Sequence, residues 1–212
     1  MIVYHFGVVI AEETALDLLS QLMALYADID RAVAAFQLKS GLRCPAGCGR
    51  CCPTADVQVT VLEMLPMAHA MFCDGTAAQW LERLSGASGS GVCILYAVQP
   101  ADDAAGHCGY YPWRPGLCRL FGFAAVRGRT GSRSLSVCRH NRRNDPPGTA
   151  AALALAAEAP CFTHYGTRIY GLDPALGARL MPINAALRQA LERLGLNISY
   201  AHRERLRNTT AA

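Results

Sequence analysis

From Thr14 to Lys39 the apolar residues Leu18, Leu22, Leu25, Ile29, Val33 and Phe36 recur every three to four positions. That is the period of one buried face of an α-helix. Ser40-Gly41 ends the helix and delivers the chain into a run of cysteines. Residues 1–10 alternate loosely and fit either a short strand or a helix lead-in. Asp56 to Val59 reads as extended. Thr60-Val61-Leu62-Glu63 then carries the Thr-x-x-Glu capping-box pattern and predicts a helix running toward Phe72. Pro66 falls inside that helix and predicts a kink. A further short helix, Thr76 to Leu84, would pack Trp80 and Leu84, and the Gly/Ser-rich stretch Ser85 to Gly91 is the best place for a boundary.

The segment from Cys93 to Cys138 has little helical periodicity. Leu120–Val126 and Ser134–Val137 flank the turn-like Arg127 to Arg133, which predicts a β-hairpin, and Asn144-Asp-Pro-Pro-Gly148 predicts a second turn. Helical patterning returns at Ala150–Ala157 and at Ala175–Leu194, where Ile183, Leu187, Leu191 and Leu194 share a stripe. Residues after Asn197 are polar and predicted to fray. The expected fold is mainly α with irregular cysteine-rich loops and a small β-hairpin, a metal-centred single domain over residues 1–212. A core at 40–140 would be flanked by the helix at 14–39 and the helices at 150–195.

Composition changes this picture little. Hydrophobic residues make up 52%, yet no run reaches the roughly 18 apolar residues of a membrane span, so no membrane partner is expected. The N-terminus has neither a basic n-region nor a small-residue cleavage site. The sequence therefore reads as cytoplasmic, where disulfides are rare and clustered cysteines point to metal or redox chemistry. The net charge of +4 hints only weakly at nucleic acid, and none is inferred. Counting cysteines as metal-bound thiolates would cancel the excess.

Ten cysteines in 212 residues fall below the roughly 8–10% of disulfide scaffolds, and four of them lie within Cys44-x3-Cys48-x2-Cys51-Cys52. Pro45, Gly47 and Gly49 let such a loop fold tightly so that sulfurs converge on one centre. Neighbouring side chains in extended backbone point in opposite directions. Adjacent Cys51 and Cys52 therefore suit two metal atoms, of a cluster or of a binuclear site. Cys93, Cys108, Cys118 and Cys138 supply four further thiols from a loop-rich stretch.

Cys44-Pro-Ala-Gly-Cys-Gly-Arg-Cys-Cys52, then Cys93-Ile-Leu, then Cys108-Gly-Tyr-Tyr-Pro-Trp-Arg-Pro-Gly-Leu-Cys-Arg119 resemble the zinc- or iron-chelating CxxCxxCC family, also called YkgJ-like cysteine-cluster proteins. The likeness covers roughly residues 40–140. It implies an eight-cysteine metal set of Cys44, Cys48, Cys51, Cys52, Cys93, Cys108, Cys118 and Cys138, with Arg114, Pro115 and Arg119 in its Arg-Pro-x-x-Cys-Arg element. The first spacing is x3 where the family has x2, and the interval from Cys93 to Cys108 is longer. A related cysteine domain occurs in a flagellin lysine N-methylase, but this chain has no Gly-rich nucleotide loop after a clear strand, so that activity is not carried over.

Zinc sites usually pair two short chelating motifs, whereas iron–sulfur sites combine one dense motif with remote cysteines. The spacings of 14, 9 and 19 residues in the second half, with the adjacent pair, tilt the expectation toward an iron–sulfur cluster over zinc. Arg114 and Arg119 would neutralise the thiolate charge and donate to sulfur, or else be plain surface arginines. Cys73 reads as a buried helical thiol, Cys161-x2-His164 as core or surface, and His107 and His140 as exposed loop residues. Tyr110, Tyr111 and Trp113 would shield the centre or serve as ordinary core, and Arg203 to Arg207 reads as a solvated helix end. Three functions follow: a metal-cluster protein with a redox, sensing or accessory role; a zinc-stabilised module docking an unidentified protein partner; or a redox or methyl-transfer enzyme. A complete sulfur set favours the first two.

Overall fold

The computed structural model describes residues 3–44, 48–86, 91–98 and 106–209, with side chains between residues 16 and 199. The chain is mainly helical. Helix α1 (Val3–Ser40) begins before the periodic stretch, which decides residues 3–10 in favour of helix. Its inward face is the expected one: Leu22, Tyr26 and Ile29 are fully buried, and Val33 and Phe36 nearly so. Gly41 closes the helix at φ +74°, its N–H donating to the Gln37 carbonyl at 3.0 Å. Left-handed backbone of this kind suits glycine, which has no Cβ to clash.

Strand β1 (Gln58–Val59) leads into α2 (Val61–Cys73), whose N-terminus carries the complete capping box. The Glu63 N–H donates to Thr60 Oγ1 at 3.2 Å, and the Thr60 N–H donates to Glu63 Oε2 at 3.0 Å. Pro66 does not interrupt α2; it is fully buried and the helix runs on to Cys73. Helix α3 (Ala77–Gly86) follows. Of the expected boundary at 85–91, residues 87–90 lie outside the described residues.

The middle of the chain holds short elements: β2 (Tyr96–Ala97), β3 (His107–Cys108), a 3-10 turn at Tyr111–Trp113, and α4 (Gly116–Leu120). The expected hairpin forms from β4 (Ala125–Arg127) and β5 (Arg133–Leu135), with Val126 opposite Ser134. The Asn144–Gly148 turn is instead a junction between α5 (Arg139–Asn144) and α6 (Pro146–Ala154). Asp145 caps α6 by accepting from the Gly148 N–H at 2.9 Å, and Pro146 occupies the first turn, where its missing N–H costs nothing.

Helix α7 (Phe162–Leu172) buries only Tyr165 and Ile169, too sparse a stripe to predict. The expected helix at 175–194 is divided into α8 (Pro174–Gly177), strand β6 (Met181–Pro182) and α9 (Ile183–Thr209). Strand β6 pairs antiparallel with β1, as β2 does with β3. Helix α9 continues past Asn197, where fraying was expected. It packs along α2, burying Ile183, Leu187 and Leu191 against Leu62, Leu65 and other apolar residues of one continuous core. Burying each large aliphatic side chain contributes about 1.5–3 kcal/mol. Among the described residues no helix is long and apolar enough to cross a membrane.

Candidate metal centre

The cysteines of the predicted set lie in loops and in short elements. Cys44 lies shortly after α1, and the loop carrying Cys48, Cys51 and Cys52 docks beside β3. There the Gly49 N–H donates to the Gly106 carbonyl at 2.8 Å. A Cβ on Gly49 would collide with that carbonyl, and one on Gly106 with the Tyr96 ring. Only two glycines permit this approach. The Cys52 N–H closes a turn onto the Gly49 carbonyl at 2.8 Å, and Thr54 Oγ1 donates to the Cys51 carbonyl at 3.1 Å. Pro45 and Gly47, predicted to shape the same loop, lie outside the described residues.

Cys93 and Cys108 are joined through the β2–β3 ladder. The Tyr96 N–H donates to the Cys93 carbonyl at 3.0 Å, Cys108 lies opposite Tyr96, and the Gly109 N–H donates to the Leu95 carbonyl at 2.9 Å. Cys118 sits in α4. Cys138 precedes α5, and two side chains of that helix reach the first loop. Asn141 Nδ2 donates to the Arg43 carbonyl at 3.3 Å, and His140 Nδ1 lies 3.4 Å from Arg50 Nη1.

All eight thiols are partly buried and none is in a disulfide. Burial disfavours the thiolate, and neighbouring sulfurs add to the effect. Burial and then Cys48, Cys51 and Cys138 push the Cys44 thiol up to about 12. Burial, followed by Cys93, Cys108 and Cys51, pushes Cys118 up. Burial and Cys108 push Cys93 up to about 11. Burial likewise raises Cys108, against the pull of the Tyr110 N–H and Arg114. In the adjacent pair each thiol shifts the other: Cys52 lowers Cys51, while Cys51, then burial, Cys118 and Cys108 raise Cys52.

Arg114 lies close enough to Cys51 and Cys108 that its charge favours both thiolates. It also bonds Asp30 Oδ1 at 3.3 Å and stacks over the Tyr111 ring at 3.9 Å. Arg119 is buried and works as a clasp. It bonds Asp30 of α1, donates to the Arg114 carbonyl at 2.8 Å and to the Pro112 carbonyl, and lies 4.6 Å over the Tyr26 ring. The two arginines thus lock the Cys118 segment onto α1. Glu63 adds a link the capping pattern did not reveal: its Oε1 accepts from the Leu117 N–H at 3.4 Å, one residue before Cys118.

Other candidates lie elsewhere. Cys73 is exposed rather than buried, at the last turn of α2, with its sulfur 3.7 Å from His69 Nδ1; the apolar neighbours Met71 and Phe72 turn to the core and leave it outside. Cys161 is buried at the start of α7 and lines a cavity of about 500 Å³ with Arg127, Arg133, His164 and Arg168. Its burial raises the thiol, but the N–H groups of His164 and Thr163, the Thr163 side chain and the Arg133 charge together lower it. His164 stacks edge-on against Tyr165 at 5.1 Å. His107, expected as an exposed loop residue, is partly buried in β3, with Nδ1 lacking a partner. Tyr110 meets Trp80 edge-on at 6.0 Å and its hydroxyl lies 2.9 Å from Thr76 Oγ1, an ordinary packing role.

Among the described residues no three Cys, His, Asp or Glu side chains already stand in chelating geometry. The donor set fits a metal by its chemistry: eight sheltered thiols, free of disulfides, suit a soft or borderline ion or an iron–sulfur cluster. No family model, curated protein or solved structure matches this chain.

Proposed function

We propose that the protein binds metal through Cys44, Cys48, Cys51, Cys52, Cys93, Cys108, Cys118 and Cys138, holding an iron–sulfur cluster or zinc in a redox, sensing or accessory role. One observation supports this reading: cysteines from the 44–52 loop and from four later positions are partly buried near one another, so that burial and neighbouring sulfurs raise the cost of ionising Cys44, Cys93 and Cys118. Without a cation such crowding gains nothing. With one, the local charge logic inverts and the thiolates become ligands. The likeness of the motif to cysteine-cluster proteins supports the same reading. So does Arg114, whose charge already favours thiolate at Cys51 and Cys108. An all-sulfur set leaves no open coordination position, which speaks for electron transfer, sensing or scaffolding over catalysis at the metal.

Anaerobic purification followed by metal and acid-labile sulfide analysis tests this. Iron with labile sulfide and a visible absorption that bleaches on reduction identifies the cluster. A colourless protein carrying zinc identifies the zinc form. A folded protein retaining neither overturns the proposal.

A further inference from the structure

The geometry points to a second site, one that does not depend on the metal reading. The cavity between the β4–β5 hairpin and the start of α7 binds a small phosphate-bearing molecule, whose phosphate is held by Arg127, Arg133 and Arg168.

The cavity holds about 500 Å³, within the roughly 300–1,000 Å³ of small-molecule sites. Three arginines line it and, among the described residues, no Asp or Glu does. Two of the three stand directly opposite each other in the hairpin, Arg127 in β4 against Arg133 in β5. Opposed residues of a ladder share a face, and like charges so placed repel. An anion set between them removes that repulsion. Asp28 of α1 bonds Arg168, but among the described residues neither Arg127 nor Arg133 has an acidic partner. Two arginine charges are thus left uncompensated. A phosphate monoester carries about −1.5 to −2 at neutral pH and balances both, whereas a carboxylate balances one.

The fold fixes these groups in advance. Arg133 Nη1 donates to the Ala157 carbonyl at 2.8 Å and to the Ala159 carbonyl at 3.3 Å, and Arg168 lies 5.4 Å over the Tyr165 ring. The hairpin is tied to the entry of α7 by the Ala125 N–H, which donates to the Pro160 carbonyl at 2.7 Å. Guanidinium forks held in this way match the oxygens of a phosphate, which accept paired N–H bonds. Helix α7 adds to the field. It opens beside the cavity with Cys161 at its N-cap and no side-chain capping bond, so the positive end of its dipole lies there. Ala159 and Pro160 give the cavity an apolar wall for the rest of the molecule.

The test titrates the full-length protein with phenyl phosphate at fixed ionic strength, followed by calorimetry, with benzoate and inorganic phosphate as comparison ligands. Phenyl phosphate should bind once per chain and about tenfold or more tighter than the singly charged benzoate. Inorganic phosphate should bind more weakly than phenyl phosphate, lacking the group that meets the apolar wall. Arg127→Met and Arg133→Met should each weaken phenyl phosphate about tenfold. Arg129→Met, at an exposed arginine of the same hairpin turn outside the cavity lining, should leave it unchanged. Because Arg133→Met also removes the bonds to Ala157 and Ala159, a second measurement uses the unaltered chain. Saturating phenyl phosphate should slow iodoacetamide at Cys161, in the cavity, and leave the exposed Cys73 of α2 unaffected. Absence of saturable binding, or benzoate or inorganic phosphate binding as tightly as phenyl phosphate, would overturn the site. So would equal weakening by Arg129→Met, or equal slowing at Cys161 and Cys73.

Discussion

The helical frame and the cysteine-bearing layer are held by different physics. In the frame, α1, α2 and α9 bury whole apolar faces: Leu22, Tyr26, Ile29, Leu62, Leu187 and Leu191 are within 1% of fully buried. The layer around Cys44–Cys52 and Cys93–Cys138 has strands of two or three residues, helices of five and six, and a handful of large buried apolar side chains. Its order comes from polar clasps: Arg119 on Asp30, Glu63 on Leu117 N–H, Gly49 against Gly106. A layer so poor in apolar burial gains most from a ligand that binds only the folded state. The difference teaches where metal would matter to stability and where it would not.

If the protein binds metal as proposed, the sharpest way to break the comparison is to remove it. Each structural zinc-like site contributes on the order of 10–16 kcal/mol, comparable to the stability of a whole domain. Chelation should therefore abolish amide-exchange protection in residues 48–58 and 106–138 while the α2–α9 pair keeps most of its own. Equal loss everywhere would show that the two regions are one cooperative unit. Next in size is Arg119→Met, which leaves the Pro112 and Arg114 carbonyls without their donor. A loss of about 2–3 kcal/mol is expected in denaturant unfolding. Arg31→Met, at an exposed pair with Asp28, should cost about 0–0.5 kcal/mol. A similar cost for both would remove the clasp from the account.

The frame was far more legible in the sequence than the layer. The Leu22–Phe36 stripe, the Thr60–Glu63 capping box and the Ile183–Leu191 stripe all report local periodicity or local hydrogen bonding, and the chain shows both. The β1–β6 pairing joins residues 58 and 182, and no local pattern announces a contact that distant. Helices α4, α5 and α7 are set by tertiary contacts such as Arg119–Asp30 and Asn141–Arg43, so their apolar stripes are too short to read. The motif and its likeness to cysteine-cluster proteins single out the eight thiols as an expected set, an expectation that rests on the sequence alone. Which thiols neighbour one another is decided by those same long-range bonds, beyond the reach of spacing.

Glu63 joins frame to layer, and its charge sharpens the comparison at acid pH. Burial raises its carboxyl above the ordinary 4.5, against the N–H and hydroxyl bonds from Thr60 and the N–H of Leu117. A folded-state value above the unfolded one means the native state holds the proton more tightly. The contribution to stability is then full below about 4.5 and declines as pH rises through the folded value. Glu63→Gln should flatten that slope while keeping the cap. Glu63→Ala should cost about 1–2 kcal/mol at neutral pH through the lost cap and orphaned N–H groups. Thermal unfolding of the three proteins between pH 3 and 7 reads both effects, and an unchanged slope in Glu63→Gln would refute the assignment.

The smallest effect concerns Cys161, the thiol that belongs to the frame. Cys44, Cys93 and Cys118 are raised by burial and by neighbouring thiols. Cys161 is also buried, yet it is lowered because the N–H groups opening α7 and the Arg133 charge favour its thiolate. Cys161 lines the arginine-bearing cavity, which gives a small alkylating reagent a path toward it. In metal-loaded protein the eight cluster cysteines should resist iodoacetamide while Cys161 reacts, half-maximally at a pH below the ordinary thiol range. Arg133→Met should move that midpoint upward by a fraction of a unit, consistent with one partly screened charge. Alkylation followed residue by residue in a mass spectrometer across pH decides it. If metal loading protected Cys161 along with the other eight, the thiol would belong to the centre, and the line between frame and layer would have to be redrawn through α7.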